Sequence, residues 1–186
     1  MQTFTGRQFW PLDPWADEIC IEDIAHSLSL QCRYAGHTEV FYSVAEHSWR
    51  VSRVCDPAVA LWGLLHDAAK AYLVDLPRPI KRFSELGTHY REIEARLMVV
   101  IAARFGLSMP EPPDVKNTDD FLLRWEARDL MKPPPVPWSQ RGGPLPTSAI
   151  KPMFPVVAEN AFLRRFSELT TGHCALTTGD WKRART

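Results

Sequence analysis

The chain has no apolar run approaching the ~18 residues that a membrane-spanning helix needs, and its start, MQTFTGRQ, is too polar for a secretory signal. A cytoplasmic protein with no membrane partner is the expectation. Its four cysteines, Cys20, Cys32, Cys55 and Cys174, lie far apart and include no CxxC pair. That spacing argues against a zinc knuckle and against a disulfide framework, so reduced thiols are expected. Net charge is missing too, because 22 Lys and Arg balance 22 Asp and Glu. Without a global field there is no electrostatic reason to bind a nucleic acid polymer, although a local cationic pocket for a small phosphorylated ligand stays compatible with zero net charge. Internal repeats are absent and strand signals are scarce. What is there is 186 residues, 45% of them hydrophobic, enough for one domain spanning 1–186 around one core.

Helical signals recur along that domain. IEDIAHSLSLQCRYAG places Ile21, Ile24, Ala25, Leu28 and Cys32 on one stripe, with Gly36 as a stop. SVAEHSWRVSRV opens with Ser43 and Glu46 three apart, the pattern of a capping box. DPAVALWGLLHDAAKAYL starts with Asp56 as N-cap and Pro57 at the first helical position, then reads apolar nearly all round, as a central buried helix does. DLPRPIKRF is a loop or short helix, since Pro77 and Pro79 interrupt regular bonding. THYREIEARLMVVIAARFG turns Ile93, Leu97, Val100 and Ile101 inward and ends at Gly106. A further helix runs from Asp114 to about Met131, a Pro- and Gly-rich loop covers about 132–152, and a last helix covers about 155–169. The expected fold class is all-α, a helical bundle.

One pair of residues does not suit such a bundle unless it has a purpose. His66 and Asp67 sit in the apolar run GLLHDAAKAY. An isolated His-Asp pair is ordinarily a core histidine beside a solvated aspartate. Here the flanks are apolar, and a buried charge without a partner is costly. Adjacent residues on an α-helix point about 100° apart, so both side chains can reach one ion lying beside the helix. His47 lies one turn into the preceding helix, which a short connection would bring alongside. Asp119 shares a face with Val115, Leu122 and Glu126 and should also point inward. Two imidazoles and two carboxylates form a mixed nitrogen and oxygen set suited to Mn, Fe, Co, Ni or Zn.

The ordered motifs SVAEHS, LLHDAAKAY, DLPRPIK and VKNTDD resemble those of HD-domain phosphohydrolases of the 5′-deoxynucleotidase type. The fuller run FTGRQFWPLDP…IEDIAHSLSLQCRYAGHTEVFYSVAEHS is similar to the compact phage-encoded branch, which includes dATP phosphohydrolases; the likeness covers roughly residues 3–131. The resemblance implies an HD-domain bundle with His47, His66, Asp67 and Asp119 as ligands of a divalent transition metal (Co, Mn, Zn or Ni), and a second site of magnesium type as a further expectation. It implies a deoxynucleotide substrate, dATP first, a role in depleting dATP inside an infected bacterium, and a homo-oligomer, dimer or hexamer.

Where family members carry a glutamate that assists the attacking water or protonates the leaving oxygen, this chain has Lys70. Spacing from His66 and Asp67 makes Lys70 face the ion, where it would bind phosphate or swing to solvent but could not serve as a carboxylate base. Asp75 of the DLP motif, otherwise an ordinary turn residue, becomes the candidate general acid or base. Arg33, Lys81 and His37 match positions expected to contact phosphate; solvated charges and a turn histidine are the plainer readings. For the base, Trp10 offers a stacking surface, against its reading as a packing clamp, and Ile19 a steric limit. A catalytically silent nucleotide-binding module and a broad deoxynucleoside monophosphate phosphatase are the rival functions.

Overall fold

A computed structural model of the chain describes residues 1–136 and 143–171. Its helices are α1 (Ile21–Leu30), α2 (Val44–Val54), α3 (Ala60–Leu65), α4 (Lys70–Leu73), α5 (Arg78–Phe83), α6 (Glu85–Phe105), α7 (Pro113–Leu130) and α8 (Pro155–Thr170). Among the described residues there is no strand beyond the isolated bridges Gln2–Gln8 and Cys32–Ser43, so the all-α expectation holds. Cys20, Cys32 and Cys55 are free thiols. Cys174 and the middle of the Pro-rich loop lie outside the described residues.

The bundle is organised around α2, which packs against α1, α3, α7 and α8. Its start follows the sequence: the Ser43 hydroxyl accepts from the Glu46 N–H at 3.0 Å. The other half of a capping box does not form. Glu46 is fully buried and its carboxylate instead accepts from Arg50 and from the backbone N–H of Met153. That contact ties the extended segment before α8 to the core. The main core joins Ile24, Leu28, Val44, Val51, Leu64, Leu65, Leu97, Ile101, Leu122 and Phe162.

α3 approaches α2 closely because of Gly63. A Cβ at that position would lie 2.8 Å from Cys55 Sγ and 3.1 Å from Ser52 Cα. Only a hydrogen there lets the C-terminal end of α3 lie beside α2.

The segment expected to be one central helix is divided. The Asp56 side chain accepts from Ala58 N as an N-cap should, a 3₁₀ turn spans Pro57–Val59, and α3 stops at Leu65. Residues 66–69 join α3 to α4 through tighter i→i−3 bonds, including Ala68 N to Leu65 O at 2.9 Å and Lys70 N to Asp67 O at 3.0 Å. The interruption therefore falls on the His-Asp pair. Tightening to three residues per turn eclipses side chains three apart, which sets Lys70 over Asp67.

Candidate metal centre

The register of α2 buries His47 on the face that carries Val44 and Val51, and His47 has no solvent exposure. His66 and Asp67 follow the end of α3. Asp119 sits on α7 between the buried Val115 and Leu122. These elements converge. His47 Nε2 lies 3.3 Å from Asp119 Oδ1 and 3.9 Å from Asp67 Oδ2, and His66 Nε2 lies 3.5 Å from Asp67 Oδ2. The two imidazoles meet edge to face with centroids 5.2 Å apart. His47, His66 and Asp67 each offer a ligand atom within 4.8 Å of the others, and together can hold a metal ion.

The hydrogen bonds of the two histidines strengthen that fit. His66 Nδ1 is 2.9 Å from the carbonyl oxygen of Gly63, and His47 Nδ1 is 2.6 Å from Glu126 Oε1. A carbonyl or carboxylate oxygen only accepts, so the proton belongs on Nδ1 in both neutral rings and Nε2 carries a lone pair. Both Nε2 atoms are buried without a well-formed hydrogen bond, a condition that costs ~1–3 kcal/mol per atom unless a ligand relieves it.

Charge is dense here. Burial opposes ionisation of Asp67, but Lys70, His66, His47 and Arg33 hold its carboxyl far below the usual range. Asp119 is held low against burial by His47, His66 and Arg33. Burial and Arg33 disfavour a charged His47, yet Glu126 and Asp119 outweigh them and its pKa is raised. Burial lowers that of His66. Glu111, in the segment before α7, is pushed up by burial and then by Asp119 and Asp67.

Lys70 neither swings to solvent nor stands free for phosphate. Its Nζ lies 2.9 Å from Asp67 Oδ2 and 2.9 Å from Asp75 Oδ1. Burial disfavours its charge, but the two carboxylates win and raise its pKa, so the ammonium persists. Asp75 is thus joined to the centre through Lys70. It follows Val74, whose φ of 72° and ψ of 158° belong to a region nearly reserved for glycine.

Arg33 reaches the centre but is occupied. Its Nε and Nη2 lie 3.1 Å from Glu126 Oε2, and Nη1 lies 3.6 Å from Asp67 Oδ2. Lys81, expected to contact phosphate, has its Nζ 2.7 Å from Glu94 Oε1, because α5 folds onto α6. Arg78 of the same motif stays exposed but reaches the edge of the centre, with Nη2 3.8 Å from Asp119 Oδ2 and Nη1 3.6 Å from Asp120 Oδ1. Lys116 Nζ adds a second cation 3.1 Å from Asp119 Oδ2. Ile19 is completely buried in the core, where it packs rather than presenting a surface to a ligand. Trp10 is 45% exposed on the N-terminal segment. His37 is exposed at the end of the turn after α1.

Glu126, Tyr34, Tyr42 and Arg78 were not singled out from the sequence. Glu126 left a signal, since it lies two helical turns beyond Asp119 on the same apolar face. The tyrosines and Arg78 left none, because their partners are distant in the chain.

No family profile matches the chain. It is 36% identical over 172 residues to the uncharacterized protein YfdR of Escherichia coli strain K12, a match spanning 91% of this chain and 95% of YfdR. It is 38% identical over 139 residues to an uncharacterized protein of Rhodobacter capsulatus, spanning 68% of this chain and 70% of that relative. With identity at this level over nearly the full length of both proteins, the chain belongs to the same family as YfdR.

Proposed function

We propose that the chain is a metal-dependent phosphohydrolase of the HD type, acting on deoxynucleoside 5′-phosphates and preferring dATP and its lower phosphates. One observation carries the reading. Two buried imidazole nitrogens, each with its tautomer set by a bond at the opposite ring nitrogen, face Asp67 and Asp119 across three helical elements. His47, His66, Asp67 and Asp119 would hold the ion, and their mixed donor set suits Co, Mn, Zn or Ni. When bound, a divalent cation supplies Lewis acidity toward a phosphoryl oxygen and a more acidic water.

The chain's own residues account for the rest. Asp67 and Asp119 offset the charge of the dication. Arg33, Arg78 and Lys116 surround the carboxylates with positive charge that favours an anionic ligand. The protonated Lys70 cannot accept a proton from water, so Asp75 takes the role of general acid or base. A specific observation favours a second reading, a nucleotide-binding module with little or no turnover. Lys70 bridges Asp67 and Asp75 and occupies both carboxylates where the chemistry would need them.

Phosphate release from dATP, dADP, dAMP, dGTP and dCMP, measured with cobalt, manganese or zinc, tests these readings. Preferred release from dATP supports the leading one, and a profile restricted to monophosphates replaces it with a broad 5′-deoxynucleotidase. Binding of dATP without release, restored by Lys70→Glu, supports the silent module.

A further inference from the structure

Glu126 has no solvent exposure, and both of its oxygens are engaged. Oε1 accepts from His47 Nδ1 at 2.6 Å and from the Tyr42 hydroxyl at 3.0 Å. Oε2 accepts from the Tyr34 hydroxyl at 2.8 Å and from Arg33 Nε at 3.1 Å. One buried cation would suffice to compensate one buried carboxylate. Here four donors converge from two stretches of chain, residues 33–34 and residues 42–47, which the isolated bridge between Cys32 and Ser43 holds together. The backbone bends to allow it. Tyr34 and Ala35 adopt left-handed φ values of 56° and 52°, a conformation that costs a residue with a side chain roughly 1–2 kcal/mol.

We propose that Glu126 is a positioning residue of the metal centre. Its grip on Nδ1 sets the tautomer of His47 and aims Nε2 at Asp67 and Asp119. Its hold on Arg33 Nε and Nη2 turns the remaining Nη1 toward Asp67 Oδ2, 3.6 Å away. One carboxylate thereby orients a nitrogen ligand directly and an oxygen ligand through Arg33. The inference rests on the metal-centre reading but is independent of which phosphate ester, if any, is hydrolysed. An internal comparison separates it from ordinary core stabilisation. Glu46 is equally buried, precedes His47 in the chain, and is likewise paired with an arginine, yet its partners are Arg50 and the Met153 N–H.

The test is cobalt(II) binding to the full chain, read as affinity by competition with a chromophoric chelator and as the visible spectrum of the bound ion. Glu126→Gln removes the charge that Arg33 needs and risks unfolding. Glu126→Asp keeps that charge and withdraws the carboxylate by about one C–C bond, ~1.5 Å. With folding verified by circular dichroism, Glu126→Asp is expected to weaken cobalt binding roughly 10–100-fold and alter the spectrum, while Glu46→Gln lowers the melting temperature and leaves both readouts unchanged. Unchanged affinity and spectrum in Glu126→Asp overturn the proposal, as does an equal loss in Glu46→Gln. A wild-type chain that takes up no cobalt overturns it together with the metal centre. A wild-type chain that binds cobalt but releases no phosphate removes only the hydrolase reading.

Discussion

Replacing Val74 by glycine should leave the protein more stable than replacing it by alanine, the reverse of the usual order. Val74 has φ 72° and ψ 158°, where every residue with a Cβ is strained by roughly 1–3 kcal/mol. The backbone cannot relax, because the Val74 N–H donates to Lys70 O at 2.8 Å and the Val74 carbonyl accepts from the Tyr90 hydroxyl at 2.5 Å. The side chain is 64% exposed, so its truncation removes little burial, and both variants remove most of the same surface. Alanine keeps the Cβ and the strain. Glycine releases the strain but adds unfolded-chain entropy worth about 0.4–1 kcal/mol. Taking ~2 kcal/mol from the middle of the strain range, the net preference for Val74→Gly over Val74→Ala is about 1 kcal/mol, a melting-temperature difference of roughly 2–4 °C for a chain of this size. Urea unfolding with matched m-values provides the free-energy comparison. Should Val74→Ala prove equal to or more stable than Val74→Gly, the strain ahead of Asp75 does not exist and the reasoning fails.

Three other outcomes follow from the centre. Lys70→Glu, assayed with saturating cobalt, should leave phosphate release from dATP within a few-fold of the wild-type rate, because Asp75 remains as general acid or base; a gain of about 10²–10⁴-fold, the usual contribution of general acid–base catalysis, would replace that reading with the silent module. Cobalt at 100 times its Kd should stabilise the wild-type chain by ~2.7 kcal/mol, a gain reversed by a chelator and absent in His66→Ala; a chelator-sensitive gain in that variant would remove His66 from the ligand set. Gly63→Ala places a methyl 2.8 Å from Cys55 Sγ and 3.1 Å from Ser52 Cα, so it should cost about 1–3 kcal/mol as overpacking does and weaken cobalt binding by separating His66 from His47. Full stability in Gly63→Ala would contradict the close approach of α2 and α3.

Much of the local structure was legible because its causes are local. Ser43 and Asp56 accept from backbone N–H groups two or three residues ahead, and the apolar spacing around Asp119 marked the inward face of α7. The apolar flanks of His66 and Asp67, the place of His47 in the preceding helix and the inward face of Asp119 made these four residues candidates, and the fold brings them close to one another. Where the sequence reading failed, the competing partner lay elsewhere. The expected capping-box glutamate, Glu46, is drawn to Arg50 and to Met153, 107 positions along. The central helix tightens at the His-Asp pair, a change that apolar patterning does not report. The partner of Lys81 was likewise out of reach of the sequence, because it is Glu94 on α6.

By itself the sequence determined most of the helical segments and their apolar faces, and it put forward His47, His66 and Asp67, which the structure brings close enough to hold an ion. Helix caps and three- to four-residue periodicity are short-range properties, and they survive without knowledge of the partner helix. Only the tertiary structure decided which charges meet: Lys70 between Asp67 and Asp75, Arg33 between Glu126 and Asp67, and Glu126 behind His47. Coulomb energies and hydrogen bonds change steeply over a few ångströms, and long side chains can satisfy several faces. Their partners are therefore set by how whole helices pack rather than by any spacing along the chain.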